Sequence, residues 1–215
     1  MSIVLIVSKT QMRNSVCVGG IREDNCELIR IFDAQGYNLS PNVPYEIGDR
    51  WEMCVENVRH MRMEPHVEDK RTRAIRRIEN VGVEGIARFI NEHTQALGNR
   101  IVKGNLEQAF EGCLHLQGTR NFVNRDRIPS FSTQFWMADK DLIHRNQYGK
   151  HYYYYNNIRI KFVGYQSLVE RIPAGTIIRL SLATWWSGDN DGKGEDRCYL
   201  QLSGWYWYVK KTKRE

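Results

Sequence analysis

No stretch of this chain approaches the roughly 20 consecutive apolar residues that a membrane-spanning helix needs. The opening run Met1–Val7 is apolar, but it has no basic segment before it and no small-residue cleavage site, so it is not expected to be a secretory signal. No Cys-x-x-Cys pair occurs. The five cysteines, Cys17, Cys26, Cys54, Cys113 and Cys198, are odd in number and irregularly spaced. That argues against a zinc site and a disulfide framework, and for reduced thiols in a cytoplasmic protein. Gly19-Gly20 is followed by no Gly-Lys-Ser/Thr, which excludes a phosphate-binding loop of that type. Ser8, Ser15 and Cys17 lack the Gly-x-Ser-x-Gly setting of a nucleophile elbow. Neither a cofactor nor a metal is called for, and an enzyme is not expected.

What the chain does contain is a globular balance, 41% hydrophobic and 26% charged, in which 31 Lys and Arg outweigh 25 Asp and Glu. The net charge of +6 permits an anionic partner without establishing one. Ser2–Val7, Val16–Ile21 and Cys26–Phe32 are short β-branched runs. The polar cluster Arg22–Asn25 makes the second and third a hairpin. Gly19-Gly20 inside a strand pattern suggests a bulge. Asp49–Arg59 alternates as a further strand, with Trp51, Met53 and Val55 on one face. Val83–His93 places Ile86, Phe89 and Ile90 at helical spacing, and Leu106–Phe110 suits a short helix.

The last third is β. Lys150–Tyr155 and Ile158–Tyr165 flank Asn156-Asn157, while Thr176–Trp185 and Arg197–Tyr208 form a second pair with a bulge signal at Ser203-Gly204. Many short strands and few helices predict a mainly β protein with minor α content: two OB-like small barrels joined by a partly helical connector. The expected divisions are 1–65 for the first barrel, with room for a strand taken from the connector, 66–125 for the basic connector, and 126–215 for the second barrel.

If Asn156-Asn157 is a two-residue turn, Tyr155 pairs with Ile158, Tyr154 with Arg159, Tyr153 with Ile160 and Tyr152 with Lys161. Alternation then puts Tyr153, Tyr155, Ile158, Ile160 and Phe162 on a core face, and Tyr152, Tyr154, Arg159 and Lys161 on the other. Phenol rings among cations are the chemistry of a single-strand platform, where bases stack and phosphates are neutralised. A plain covered sheet is the competing explanation. Lys70, Arg71, Arg73, Arg76 and Arg77 make a second candidate phosphate contact, or a solvated connector. The tail Lys210–Arg214 reads as a solvated end.

Trp185, Trp186, Trp205, Trp207, Tyr206 and Tyr208 read as core and inter-domain packing, with Trp186 as a candidate stacking residue. His60, His66, Glu68 and Asp69 group an imidazole pair with two carboxylates, but neighbours on a strand point apart, so a polar loop is expected rather than an acid–base or metal site. Asp189, Asp191, Glu195 and Asp196 lack EF-hand spacing and read as an acidic loop.

Several segments together resemble a known family. They are Val4–Thr10, Val16–Ile21, Leu28-Ile29-Arg30, Pro65–Asp69, Ser132–Trp136 and Cys198–Tyr206. They are similar to elements of the bacterial dual OB-fold family, which is associated with defence and genome-conflict gene neighbourhoods. The resemblance implies two OB barrels and, by analogy of fold, nucleic-acid binding. A protein-binding scaffold or accessory subunit of a defence complex is the alternative. A metal-dependent nuclease using His66, Glu68 and Asp69 is the third.

Overall fold

The computed structural model describes residues 1–58, 63–187 and 195–207. His60, Asp189, Asp191, Tyr208 and the Lys210–Arg214 tail lie outside the described residues. The first barrel is built from β1 (Ser2–Gln11), β2 (Val16–Arg22), β3 (Leu28–Phe32), β4 (Asp49–Asn57) and β5 (Asp69–Asn80), closed in the order β1-β2-β3-β5-β4. The β2–β3 hairpin forms as the polar cluster predicts. β3 and β5 run parallel, and all the other neighbours are antiparallel. The stretch 69–80 is therefore the strand that the first barrel takes from the connector. Its cations project from a strand that pairs with β3 on one side and β4 on the other. The barrel interior holds Val4, Ile6, Val18, Ile29, Ile31 and Met53.

Between the barrels, α1 (Gly82–Glu92) and α2 (Thr94–Leu97) are followed by a 3-10 turn at Gly98–Arg100. The Asn80 side chain accepts from the Gly82 amide, serving one of the donors that a helix start leaves free. Ile86, Ala87 and Ile90 are the buried stripe of α1, as the helical spacing requires.

The rest of the chain forms an 11-stranded sheet. Its strands are β6 (Ile101–Gly104), β7 (His115–Gln117), β8 (Arg120–Asn124), β9 (Thr133–Ala138), β10 (Leu142–Gln147), β11 (Lys150–Tyr155), β12 (Ile158–Phe162), β13 (Arg171–Ile172), β14 (Ile177–Leu182), β15 (Trp186–Ser187) and β16 (Asp196–Tyr206). Leu106–Gly112 is a kinked 3-10 segment. Thus 101–104 and 115–124, expected as connector, belong to the second sheet.

The main path runs β10-β11-β12-β16-β14-β9. β9 and β10 are one run of chain interrupted at 139–141. Counting them as a single first strand gives the order 1-2-3-5-4-1 again, with the third and fifth strands, β12 and β16, parallel as β3 and β5 are. Both halves therefore follow the five-stranded OB order without sharing sequence. The second core is richer in aromatics, with Trp136, Tyr153, Tyr155, Phe162 and Trp205 among its members.

A third apolar cluster lies between the barrels. Leu5, Val7, Ile21 and Leu28 on the outside of the first barrel meet Ile86, Ala87 and Ile90 of α1, and Phe135, Ile177 and Tyr206 on the outside of the second. Both barrels are bulged, the first also at two register slips between β4 and β5. The register slips between Ile6 and Ser8 opposite Gly20 and Gly19, so the extra residue is Val7 on β1 rather than a glycine of β2. A bulged residue drops out of the ladder, and the Val7 carbonyl is taken up by the Tyr206 hydroxyl. The bulge of the second barrel leaves Ser203 extra on β16, at the place that Ser203-Gly204 suggests.

Candidate nucleic-acid interface

The Asn156-Asn157 turn forms with Asn156 at φ 52°, a conformation that Asn tolerates better than most residues. The register it sets pairs Tyr152 with Lys161, Tyr153 with Ile160, Tyr154 with Arg159 and Tyr155 with Ile158. Tyr153 and Tyr155 are buried, whereas Tyr152, Tyr154 and Arg159 are half-buried and Lys161 is exposed. β10 extends the outer face, since Arg145 pairs with Tyr152 and Ile143 with Tyr154. Arg159 lies over the Tyr152 ring at 4.5 Å, and Arg145 over the Tyr154 ring at 5.0 Å. Gln147 donates to the Tyr154 hydroxyl at 2.8 Å and accepts from Arg159 at 2.9 Å. The result is an interleaved row of phenols and guanidinium planes, both of which are stacking surfaces for bases.

Among the described residues, Arg145, Lys150, Arg159 and Lys161 take part in no ion pair. The cations of β5 differ. Lys70 bonds Glu27 at 2.5 Å, Arg71 bonds Glu56, Arg76 bonds Glu52, and Arg77 bonds the fully buried Asp49. Arg73 faces the Cys54 sulfur instead. Four of the five basic-stretch residues thus have their charge compensated within the first barrel.

In OB barrels the face of strands 2 and 3, with the loops joining strands 1–2 and 4–5, is the usual ligand surface. In the first barrel that face is largely covered. Ile21 and Leu28 enter the inter-barrel core, and Gly19 lies against Arg179 of the second barrel. In the second barrel the same face is the Tyr152–Lys161 surface, and it is open. Its 1–2 turn carries the fully exposed Tyr148, and its 4–5 connection carries Trp185 and Trp186. Trp186 is 52% exposed and lies 5.9 Å from Tyr199. Trp205 is core, and Tyr206 joins the inter-barrel cluster.

A cleft of about 850 Å³ separates the two barrels at this end. Its walls include Arg30, Phe32, Tyr37, Arg71, Arg125 and Trp185. Arg125 stacks on Trp185 at 3.8 Å and bonds Asp196, while Arg30 holds Asp69 through two bonds of 2.6 and 2.7 Å. The cleft is aromatic, and its arginines are paired with carboxylates.

His66 and Glu68 lie on the turn that leads into β5, and Asp69 opens that strand, so the expected loop is there, but His66 and Glu68 are buried rather than at an exposed edge. Glu68 accepts five hydrogen bonds: from Arg100 at 2.7 Å, from the Ser132 amide and hydroxyl at 2.9 and 2.7 Å, and from those of Thr133 at 3.1 and 3.3 Å. Burial alone would push this carboxyl up, but the Arg100 charge and the Ser132 donors hold it below the usual range. It clasps the first barrel to the second. Asp69 is held by Arg30, and the His66 ring approaches the Cys198 sulfur at 3.8 Å. Burial and then the Arg30 charge push the His66 imidazole down, and burial pushes the Cys198 thiol up to about 12. Among the described residues no group of three His, Cys, Asp or Glu side chains converges as metal ligands would.

No helix of the described residues is long and apolar enough to cross a membrane. No curated protein and no solved structure matches the chain. A family model does. The dual OB-containing domain spans residues 2–205, which takes in both barrels and the helical passage between them, and the chain belongs to that family.

Proposed function

We propose that this protein binds nucleic acid, with a preference for single strands, on the open face of β11 and β12. The observation that carries the reading is the coincidence of two half-buried tyrosines with four unpaired cations on the one strand 2–3 face that the fold leaves open. Tyr152 and Tyr154, flanked by the guanidinium planes of Arg145 and Arg159, supply stacking. Lys150 and Lys161, together with the charges of Arg145 and Arg159, neutralise phosphate. Trp186 extends the surface along the 4–5 connection. Recognition of this kind reads backbone and ring faces rather than base edges, so sequence specificity is low. Lys70, Arg71, Arg76 and Arg77 of β5 are assigned no part, because their carboxylate partners already compensate them.

The test is a titration of labelled dT20 with wild-type protein and with the double variant Tyr152→Ala/Tyr154→Ala. Loss of two stacking rings predicts a loss of roughly 2–6 kcal/mol in binding. An unchanged affinity removes the platform. A second reading is a protein partner docked on the same side, favoured by the exposure of Ile143, Tyr148 and Trp186. Absence of strand binding at low salt would select it.

A further inference from the structure

Arg179 sits on β14, on the outside of the second barrel, and is only 4% exposed. Its Nη1 donates to the Ser203 hydroxyl at 2.8 Å, and its Nε has no hydrogen-bond partner. It forms no ion pair among the described residues, although every other buried Lys or Arg there has one. A guanidinium withdrawn from water without a counter-charge is among the least favourable groups a fold can hold.

The position is shaped for it nonetheless. Gly19 of the first barrel has an ordinary backbone conformation, but a Cβ there would come within 2.5 Å of both Arg179 Nη2 and Ser8 Oγ. A side chain there would displace the guanidinium or the Ser8 hydroxyl. Ser8 Oγ, next to the guanidinium, is likewise buried without a partner. Arg179 also lines a crevice of about 140 Å³ between the barrels, with Arg30, Ser181 and Gln201 among its other walls and no carboxylate among them. Arg30 spends Nε and Nη2 on Asp69, leaving Nη1 for a further acceptor. The rim residues Gln11 and Thr184 are exposed, so the crevice opens to solvent.

We infer that this crevice is an oxyanion site for one phosphate group, with Arg179 as its floor and Arg30, Ser181 and Gln201 as further donors. A tetrahedral oxyanion supplies the missing negative charge and several acceptors at once. Its place in the fold is also informative. The cross-strand row Arg145, Tyr152, Lys161, Gln201, Ser181 leads from the tyrosine face directly into the crevice. A phosphodiester of a bound strand and free phosphate share the chemistry. The site stands apart from the platform reading, because free phosphate needs no stacking surface.

The experiment is isothermal titration of the full chain at constant ionic strength, in one arm with inorganic phosphate and in the other with the dinucleotide TpT. One ligand per chain is expected in at least one arm. Arg179→Gln should weaken it by about tenfold or more, the loss of a charged hydrogen-bonding group. Because that variant can perturb the inter-barrel packing, Ser181→Asp is the second probe. Its carboxylate takes the place of the anion, so binding should vanish while the thermal midpoint holds or rises. Tyr152→Ala/Tyr154→Ala should leave phosphate binding intact. Binding of phosphate identifies a free oxyanion site, and binding of TpT alone identifies a backbone site. Absence of saturable binding in both arms, or binding that Arg179→Gln and Ser181→Asp leave unchanged, overturns the inference.

Discussion

Replacing Glu68 by Ala removes the acceptor that joins the two barrels, and the structure sets the size of the effect. The carboxylate is 2% exposed and receives two backbone amides, two hydroxyls and one guanidinium. The Ser132 and Thr133 amides would be left buried with no acceptor, and Arg100, 22% exposed, would lose its counter-charge. Breaking a buried pair on one side costs about 3–5 kcal/mol. Against a typical total of about 5–15 kcal/mol, that is a large fraction of the stability. Glu68→Gln can keep its carbonyl oxygen on Arg100 and the two amides while its N–H₂ donates to the Ser132 hydroxyl, which can accept, so it should cost less than Glu68→Ala, chiefly the charge that faces Arg100. The assay is urea unfolding of wild type, Glu68→Ala, Arg100→Ala and the double variant. The cycle should return a coupling of about 1.5–3 kcal/mol, the range for a hydrogen bond to a charged group. A loss below about 1 kcal/mol for Glu68→Ala would refute the clasp, since it would mean the five donors find other partners without cost.

Other expectations follow from the same geometry. Arg159→Ala/Lys161→Ala should flatten the salt dependence of single-strand binding by about 1.4 in log–log slope, at about 0.7 per phosphate contact. Arg76→Ala/Arg77→Ala should leave that slope unchanged, as measured by anisotropy over a salt series. Acidification should destabilise the fold in two windows. His66 is held below its usual pKa, so the unfolded chain binds more protons and stability falls as pH drops below about 6.5. His144 contributes in the same direction through burial and His151, so His66→Gln should remove part of this slope in urea midpoints between pH 5 and 7, and not all of it. Glu68, also held low, loses its contribution only as pH falls below about 4.5.

The β11–β12 hairpin was legible because everything that defines it is local. A two-residue Asn turn and strict alternation fix the register, and the register assigns each tyrosine to a face. β2–β3 and α1 were legible for the same reason. β5 was not. Its outer half, Arg73–Asn80, is exposed and carries no apolar alternation, and two register slips against β4 disturb the period. Its place comes from parallel pairing with β3, about forty residues away in sequence. Glu68 reads as a surface residue until Arg100 and Ser132-Thr133 are brought to it from 32 and 64 residues further along. Arg179 has the same difficulty, for alternation places it outward without saying that another barrel covers it. The signal available was Gly19, a strand glycine that marks a close approach from outside.

A nucleic-acid strand on the open face of the second barrel is what we propose, and fluorescence anisotropy of labelled dT20 and of a matched duplex, from low to moderate salt, decides it. Four cations on the face predict a single-strand slope near about −2.8, which is roughly a fifty-fold loss of affinity between 50 and 200 mM salt. Saturable, salt-steep binding that favours the single strand is expected. Equal binding of strand and duplex, or no binding of dT20 at the lowest salt, would contradict it.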